Sequence, residues 1–333
     1  MKVDDAFIVV LAYPDTIVRP ATRELISKFW PLLGVGGQKA VQAGHAAILL
    51  ISKKTDKIEY YDFGRYVTSA GMGRVRSENT DCEVHIPLKA IHNRREISNL
   101  KEILLFLEAN PDKTHGDGRL IATVCGDVNY ENAITYIRKL QARVEVPYGA
   151  FISRGSNCAR FVTDTLIQSV TKRNLKRRLI LSKSLTPSPI SNVINASCGN
   201  AIYEVFQGEI LPYANRSISK EHRKCFFNKV PQVINKIGTE LPNTNVYVSK
   251  KGQWLSGIGS GAWFELEQSD LKYEDLFIVT RRCPKGIVSV KAKFKINSAG
   301  FDILKSYQFL HGSNCDTCII RQNNTIFKFK RID

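Results

Sequence analysis

The sequence predicts an α+β fold in which a helix with a cysteine at its start packs against an antiparallel hairpin. Two short runs rich in strand-forming residues, 44–52 and 58–64, flank a polar turn and indicate the hairpin. Residues 156–169 begin with good helix N-caps and continue with apolar residues spaced about one turn apart. Predicted strands and helices do not alternate regularly, which argues against a parallel βαβ sheet.

The other elements of the first half follow from composition and periodicity. Residues 6–13 are apolar and β-branched, which predicts a strand, and Pro14 ends it. Pro20 suits the first turn of a helix over 20–30. Further strands or extended segments are expected at 82–87, 119–124 and 144–152, and helices at 98–107 and 129–142.

The length of 333 residues exceeds that of most single domains, so we expect two. A stretch rich in serine, with Pro187 and Pro189, has the composition of a surface crossing. The predicted division is a catalytic domain at 1–185, a linker at 186–198 and a β-rich accessory domain at 199–333. Within the accessory domain, strands are expected at 244–248, 276–280, 287–294 and 325–329, and short helices at 220–235.

Composition and charge indicate where the protein is located and which partners it could bind. The first residues do not form a signal peptide, and no apolar run approaches the roughly 20 residues of a membrane span. We therefore expect a soluble, cytoplasmic protein without a transmembrane segment. The net charge of +17 permits binding to nucleic acid, anionic lipid or another acidic partner without specifying one. Eight dispersed cysteines do not indicate a small disulfide framework.

The candidate chemistry centres on Cys158. At the start of a helix, a thiol meets the positive end of the helix dipole and N–H groups that can receive an oxyanion. His45, at the entrance of the first hairpin strand, is the candidate base. Asp62 on the second strand is the preferred third residue, and Glu59 is its competitor.

Two further residues are candidates for the oxyanion hole or the substrate pocket. Tyr148 could assist through its hydroxyl, although packing is its simpler role. Asn157 is most simply the helix N-cap. No metal site is assigned, because Cys315-Asp-Thr-Cys318 is a single CxxC pair. A turn between strands explains that pair best, with a zinc site or a redox pair as alternatives.

These residues carry a family resemblance. Gly44-His45 before a hydrophobic strand, followed much later by Asn157-Cys158-x-x-Phe161-Val162, resembles the circularly permuted NlpC/P60 branch of the papain-like superfamily. The YiiX-like and lecithin:retinol acyltransferase-like proteins share this order. The motifs at 12–19, 44–47, 61–66 and 73–76 are also similar to the family DUF6695.

The resemblance, which covers roughly residues 1–185, implies an activity. Cys158 would be the nucleophile and His45 the base of a cysteine peptidase or amidase, which needs no cofactor. The third position in these families is often histidine, where this chain offers Asp62 or Glu59. The substrate would be a peptide, an amide or an acyl ester. The alternatives are a lipid or N-acyltransferase that uses the same residues, and an inactive basic module that binds an anionic partner.

Overall fold

The computed structural model of the chain describes residues 3–18, 41–184, 186–214, 217–221, 241–243, 245–269 and 275–333. Over these residues the fold is mixed α/β with two antiparallel sheets and a β-rich C-terminal part. This confirms the α+β class. The predicted helix at 20–30, and almost all of the predicted helical region at 220–235, lie outside the described residues.

The first sheet has eight strands in the order β10-β9-β7-β1-β4-β5-β6-β8, all paired antiparallel. A two-stranded ribbon, β2 with β3, lies apart from it. The strands are β1 (Ala6–Tyr13), β2 (Ile17–Val18), β3 (Val41–Gln42), β4 (His45–Ser52), β5 (Glu59–Gly64), β6 (Met72–Arg76), β7 (Leu120–Val128), β8 (Val146–Pro147), β9 (Ile202–Phe206) and β10 (Glu209–Pro212).

Strand β1 lies inside this sheet and is buried along its whole length. Since successive side chains of a strand point to opposite faces, one half of β1 packs into each of two cores. One core contains the helices α3 (Tyr130–Gln141), α4 (Cys158–Ser169), α5 (Arg173–Ser184) and α6 (Pro189–Ser197). The other core contains α1 (Leu100–Glu108), which the short α2 (Pro111–Thr114) follows.

Most of the predicted elements of the first half are present. The hairpin of β4 and β5, the strand β1 and the helices α1, α3 and α4 are confirmed, and β7 is longer than predicted. The strand predicted at 82–87 is wrong, because a 3₁₀ helix, Cys82–Val84, lies there. Its turns are closed by the Val84 N–H to Asp81 and the His85 N–H to Cys82. Val84 and Ile86 still pack into the core, so their apolar alternation reflects burial.

The serine-rich stretch predicted as a linker contains α6 instead. Ser188 and Ser191 form a reciprocal capping box, and Pro189 occupies the first turn, where its missing N–H costs nothing. Seven residues of this helix are buried. Strands β9 and β10 follow and extend the first sheet.

The second sheet has seven strands in the order β11-β12-β13-β14-β17-β16-β15. The strands predicted at 276–280, 287–294 and 325–329 are confirmed. Of the strand predicted at 244–248, the structure describes residues 245–248, which are irregular. The side chain of Gln253 bonds to the backbone of Tyr307 and Phe309, which links the two edge strands. The strands are β11 (Gln253–Gly257), β12 (Ser260–Gln268), β13 (Leu276–Arg282), β14 (Val288–Ile296), β15 (Gln308–Phe309), β16 (Thr317–Gln322) and β17 (Thr325–Arg331).

A buried ion cluster joins the two sheets. Arg74 on β6 donates two hydrogen bonds of 2.6 Å to the carboxylate of Asp81. Arg281 on β13 donates to Asp81 at 3.4 Å and to Glu83 at 2.9 and 3.0 Å. Arg74, Asp81 and Arg281 are all buried, so each charge depends on its partners for stability.

We expect Asp81→Asn to lower the free energy of unfolding by about 3–5 kcal/mol, because it leaves two buried guanidinium groups without their shared anion. Urea unfolding monitored by circular dichroism measures this. Asp56→Asn is the matched control, since Asp56 pairs with Lys89 at the surface. Equal unfolding midpoints for the two variants would contradict a stabilising role for the cluster.

Candidate active site

His45 is placed by the start of β4. Gly44 has a φ of +74°, and a Cβ there would lie 3.0 Å from the carbonyl oxygen of Tyr13. Glycine is therefore the residue that fits this bend. The Gly44 N–H donates to Thr16 O at 3.0 Å, and His45 then pairs with Tyr13 at the end of β1. The imidazole is thus held where the sheet ends.

Asp62 contacts the Nε2 edge of the His45 imidazole. His45 Nε2 lies 3.2 Å from Asp62 Oδ2. The carboxylate also accepts hydrogen bonds from Tyr60 at 2.9 Å and Tyr66 at 2.7 Å. Burial raises the pKa of both phenols, so both remain protonated donors near neutral pH. The carboxylate is fully buried, and its acceptor sites are therefore taken up by protein groups.

Arg76 supplies the charge that balances Asp62. It lies opposite Asp62 in the register of β5 and β6. Its Nε donates to Asp62 Oδ1 at 3.0 Å and its Nη2 to Oδ2 at 2.6 Å, which is the bidentate geometry that guanidinium favours. Burial raises the pKa of Asp62, but the charge of Arg76 and the hydrogen bond with His45 outweigh it and hold the pKa far below its usual range. Asp62 is thus a fixed anion.

This anion controls the protonation of His45. Burial lowers the pKa of His45, but hydrogen bonds with Asp62 and with Cys158 more than offset that effect and raise the pKa to about 9. The imidazole is therefore cationic at neutral pH. A cationic imidazole beside a cysteine is the arrangement that cysteine nucleophiles use.

Cys158 lies on the other side of the imidazole. It is the first residue of α4, whose N-cap is Asn157, and it lies close enough to His45 to raise the pKa of the imidazole. Since Nε2 faces Asp62, Nδ1 is the ring nitrogen left for the thiol. Phe161 and Val162 in the next turn are fully buried and fix the helix against the sheet. The structure thus brings Cys158, His45 and Asp62 together.

Glu59 is not a partner of His45. It lies three residues before Asp62 on β5, so its side chain points to the opposite face of the sheet. There it accepts hydrogen bonds from Tyr130 at 2.6 Å and from Tyr61 at 3.2 Å. Of the two alternatives, Asp62 contacts His45 and Glu59 does not.

The two oxyanion or pocket candidates take different places. Asn157 Oδ1 accepts the Arg160 N–H at 2.8 Å, so this side-chain oxygen caps the helix. Tyr148 stacks on Phe63 with ring centroids 6.0 Å apart, and the guanidinium of Arg65 lies 4.5 Å over its ring. Tyr148 is also among the residues that line a cleft next to His45.

That cleft has a volume of about 350 Å³. Its wall includes His45, Tyr66 and His115 from the first sheet and its loops. Cys158 is not part of the lining and is 7% exposed, but it lies next to His45, which does line the cleft. Burial and the charge of Arg76 lower the pKa of His115 to about 3, so this second imidazole is neutral.

The turn between β11 and β12 closes one side of the cleft. Ile258 and Gly259 of this turn are lining residues, and the Ile258 N–H donates to Arg65 O at 2.9 Å. A Cβ on Gly257 would lie 2.6 Å from the carbonyl group of Tyr66, so the turn packs directly on the backbone that carries this tyrosine. The C-terminal sheet therefore contributes to the cleft.

Sequence reasoning missed Arg76, Tyr60, Tyr66 and the β11–β12 turn. One signal was present: Arg74 and Arg76 recur with period two in a short run, which places two arginines on one face of a strand. Among the described residues, no group of three or more His, Cys, Asp and Glu side chains is arranged to hold a metal ion. Across the same residues, no helix has the length and hydrophobicity needed to cross a membrane.

Comparison with known proteins supplies the family. The model of the type VI secretion system effector TseH-like family matches residues 8–175, which is half of the chain, and the DUF6695 C-terminal domain matches residues 252–332. The resemblance to DUF6695 is thus confirmed, although in the C-terminal part and not at the N-terminal motifs that suggested it. A search of curated proteins finds no match.

One solved structure is similar, the type VI secretion system effector TseH. It shares 16% sequence identity with a TM-score of 0.39, over 63% of this chain and 98% of that chain. The match of the family model over half of the sequence decides the assignment. This chain belongs to the type VI secretion system effector TseH-like family.

Proposed function

We propose that this protein is a cysteine hydrolase that cleaves an amide or ester bond through an acyl-enzyme on Cys158. The observation that supports this most is the position of His45, which contacts the buried carboxylate of Asp62 at 3.2 Å and lies close enough to Cys158 for the thiol to raise the pKa of the imidazole. A nucleophile, a base and a group that orients the base are the three parts that covalent catalysis by cysteine requires.

In the first step, Cys158 attacks the carbonyl carbon of the substrate as a thiolate, whose proton is already held by His45. The carbonyl oxygen becomes an oxyanion, which the Cys158 N–H can receive because first-turn N–H groups have no partner within the helix. His45 then gives its proton to the leaving amine or alcohol, and the acyl group remains on the sulfur as a thioester. Asp62 keeps the imidazole oriented and stabilises its cationic form throughout.

In the second step, neutral His45 removes a proton from water, which attacks the thioester and releases the acid. An amine in the place of water would give acyl transfer with the same residues, so the products of a turnover assay separate the two activities. We favour an enzyme over a basic binding module because the thiol and the carboxylate both lie against the imidazole: Asp62 contacts His45 at 3.2 Å, and Cys158 is close enough to raise its pKa.

The order of the residues supports a permuted NlpC/P60-like arrangement, since His45 on a strand precedes Cys158 on a helix. From the name of its family, we also propose that the chain is an effector of a type VI secretion system. We place the division between the two units in the interval from Pro212, the end of β10, to Gln253, the start of β11.

Cys158 should react with iodoacetamide at pH 7 faster than the exposed Cys198, although it is 7% exposed. The pairing with cationic His45 is the reason. Mass spectrometry of the tryptic peptide 155–160 over time measures the rate. Cys158→Ala should remove the fast reaction and His45→Ala should slow it, whereas Cys198→Ser should leave it unchanged. Fast labelling that survives Cys158→Ala would refute the assignment.

His45 should titrate near pH 9, and Asp62→Asn should lower that value, because the Asp62 hydrogen bond is the largest effect that raises the pKa. NMR of ¹³C-labelled histidine measures this directly. Since the folded-state pKa is raised, the stabilisation is fully present below about pH 6.5 and is lost as the pH rises through 9. Glu59→Gln is the matched control, as Glu59 bonds to Tyr130. An unchanged titration in Asp62→Asn would contradict the assigned pair.

Ile258→Trp should narrow the cleft. We expect it to slow labelling of Cys158 by a bulky pyrenyl maleimide about tenfold, equivalent to ~1.4 kcal/mol, while labelling by iodoacetamide changes little. Rates from peptide mass spectrometry test this. Ile287→Trp, at a residue that is 66% exposed, is the control. Equal effects on both reagents would show that the turn does not limit access to the thiol.

A further inference from the structure

Two thiols outside the candidate active site, Cys82 and Cys315, lie where the two sheets meet. Cys82 starts the 3₁₀ helix after β6 and packs against the core of the second sheet. Cys315 lies just before β16 and is fully buried. Its N–H donates to Thr80 O at 2.9 Å, which ties its backbone to the segment that contains Cys82. The two thiols are close enough for each to shift the pKa of the other.

Arg281 places a positive charge on this pair. Its Nη1 donates to Cys315 Sγ at 3.5 Å, and its guanidinium also binds Asp81 and Glu83, the residues on either side of Cys82. The guanidinium is buried, so its position is fixed. A cation next to a cysteine stabilises the thiolate that reacts with oxidants.

The two thiols differ in character. The hydrogen bond from Cys315 lowers the pKa of Cys82 to about 7, against the opposing effect of burial, and the charge of Arg281 adds to this. The same hydrogen bond and burial raise the pKa of Cys315 well above its usual range. Cys82 is also partly exposed, whereas Cys315 is buried. Cys82 is therefore the thiol that a peroxide can reach, and Cys315 is the neighbouring sulfur that can react with its oxidised form.

We propose that Cys82 and Cys315 form an oxidation site, which a peroxide converts into a disulfide that joins the first sheet to the second. The thiolate of Cys82 attacks one oxygen of hydrogen peroxide, the O–O bond breaks, and the hydroxide that leaves takes up a proton to become water. The sulfur of Cys315, on losing its proton, attacks the resulting sulfenic acid, the S–O bond breaks, and a second water leaves. Two thiols and one peroxide thus give one disulfide and two waters.

This site is independent of the chemistry proposed at Cys158. It also differs from a redox pair within the CxxC motif, because the partner of Cys315 is Cys82 and not Cys318. Cys318 faces the core of the second sheet, where its sulfur lies 3.8 Å from the carbonyl oxygen of Asn314. The disulfide would link residues that are far apart in sequence. Such a bond lowers the conformational entropy of the unfolded chain and so stabilises the folded state.

The test uses the full chain carrying Cys158→Ala, so that only other thiols react. After treatment with hydrogen peroxide and blocking of free thiols, a nonreducing tryptic digest should contain peptide 77–89 linked to peptide 306–321. Fragmentation should assign the bond to Cys315, and dithiothreitol should remove it. Thermal unfolding should shift to higher temperature on oxidation and return on reduction.

Cys82→Ser and Cys315→Ser should each abolish the linked peptide and the thermal shift, after a melting curve has shown that each variant is folded. Cys318→Ser and Cys198→Ser should retain both effects. A bond to Cys318, a linked peptide that persists in Cys315→Ser, or peroxide-treated protein with Cys82 as a sulfinic acid and no link would each overturn the proposal. A variant that does not fold is replaced by the alanine substitution at the same position.

Discussion

The buried ion pair of Asp62 and Arg76 is the constraint on which the candidate site depends. Moving a carboxylate out of water costs several kcal/mol unless its charge and lone pairs are compensated. Here a bidentate guanidinium, two phenols and the imidazole of His45 provide that compensation. Arg76 also donates to Lys113 O, which fixes the short helix α2 next to the cleft. The orientation of His45 is therefore a consequence of the packing around one carboxylate.

The same strand carries both buried ion clusters. Arg76 binds Asp62 in the site, and Arg74, two residues earlier on the same face of β6, binds Asp81. Asp81 in turn accepts from Arg281 of the second sheet. The candidate site and the contact between the sheets thus both depend on arginines of the five-residue strand β6. A change in the position of β6 would move both arginines.

The predictable part of this protein is the part that follows from local periodicity. Strand β1 was predictable from its continuous run of apolar and β-branched residues, and the contact between His45 and Asp62 was predictable because neighbouring strands of a hairpin bring their residues together. Arg76 was not, since an arginine in a strand normally faces solvent and only its register opposite Asp62 makes it a partner. The helix α6 was mistaken for a linker because serine and proline favour both loops and helix starts.

Contacts between distant segments lie beyond such reasoning, and the most consequential of them is the β11–β12 turn. Gly257 has no side chain, which allows the turn to pack on the backbone of Tyr66, and the Ile258 N–H binds the carbonyl of Arg65. Tyr66 then donates to Asp62. Tyr66 thus contacts the second sheet through its backbone and binds Asp62, which holds the imidazole of His45, through its side chain. The C-terminal sheet is therefore a wall of the cleft and also a support for the carboxylate behind His45.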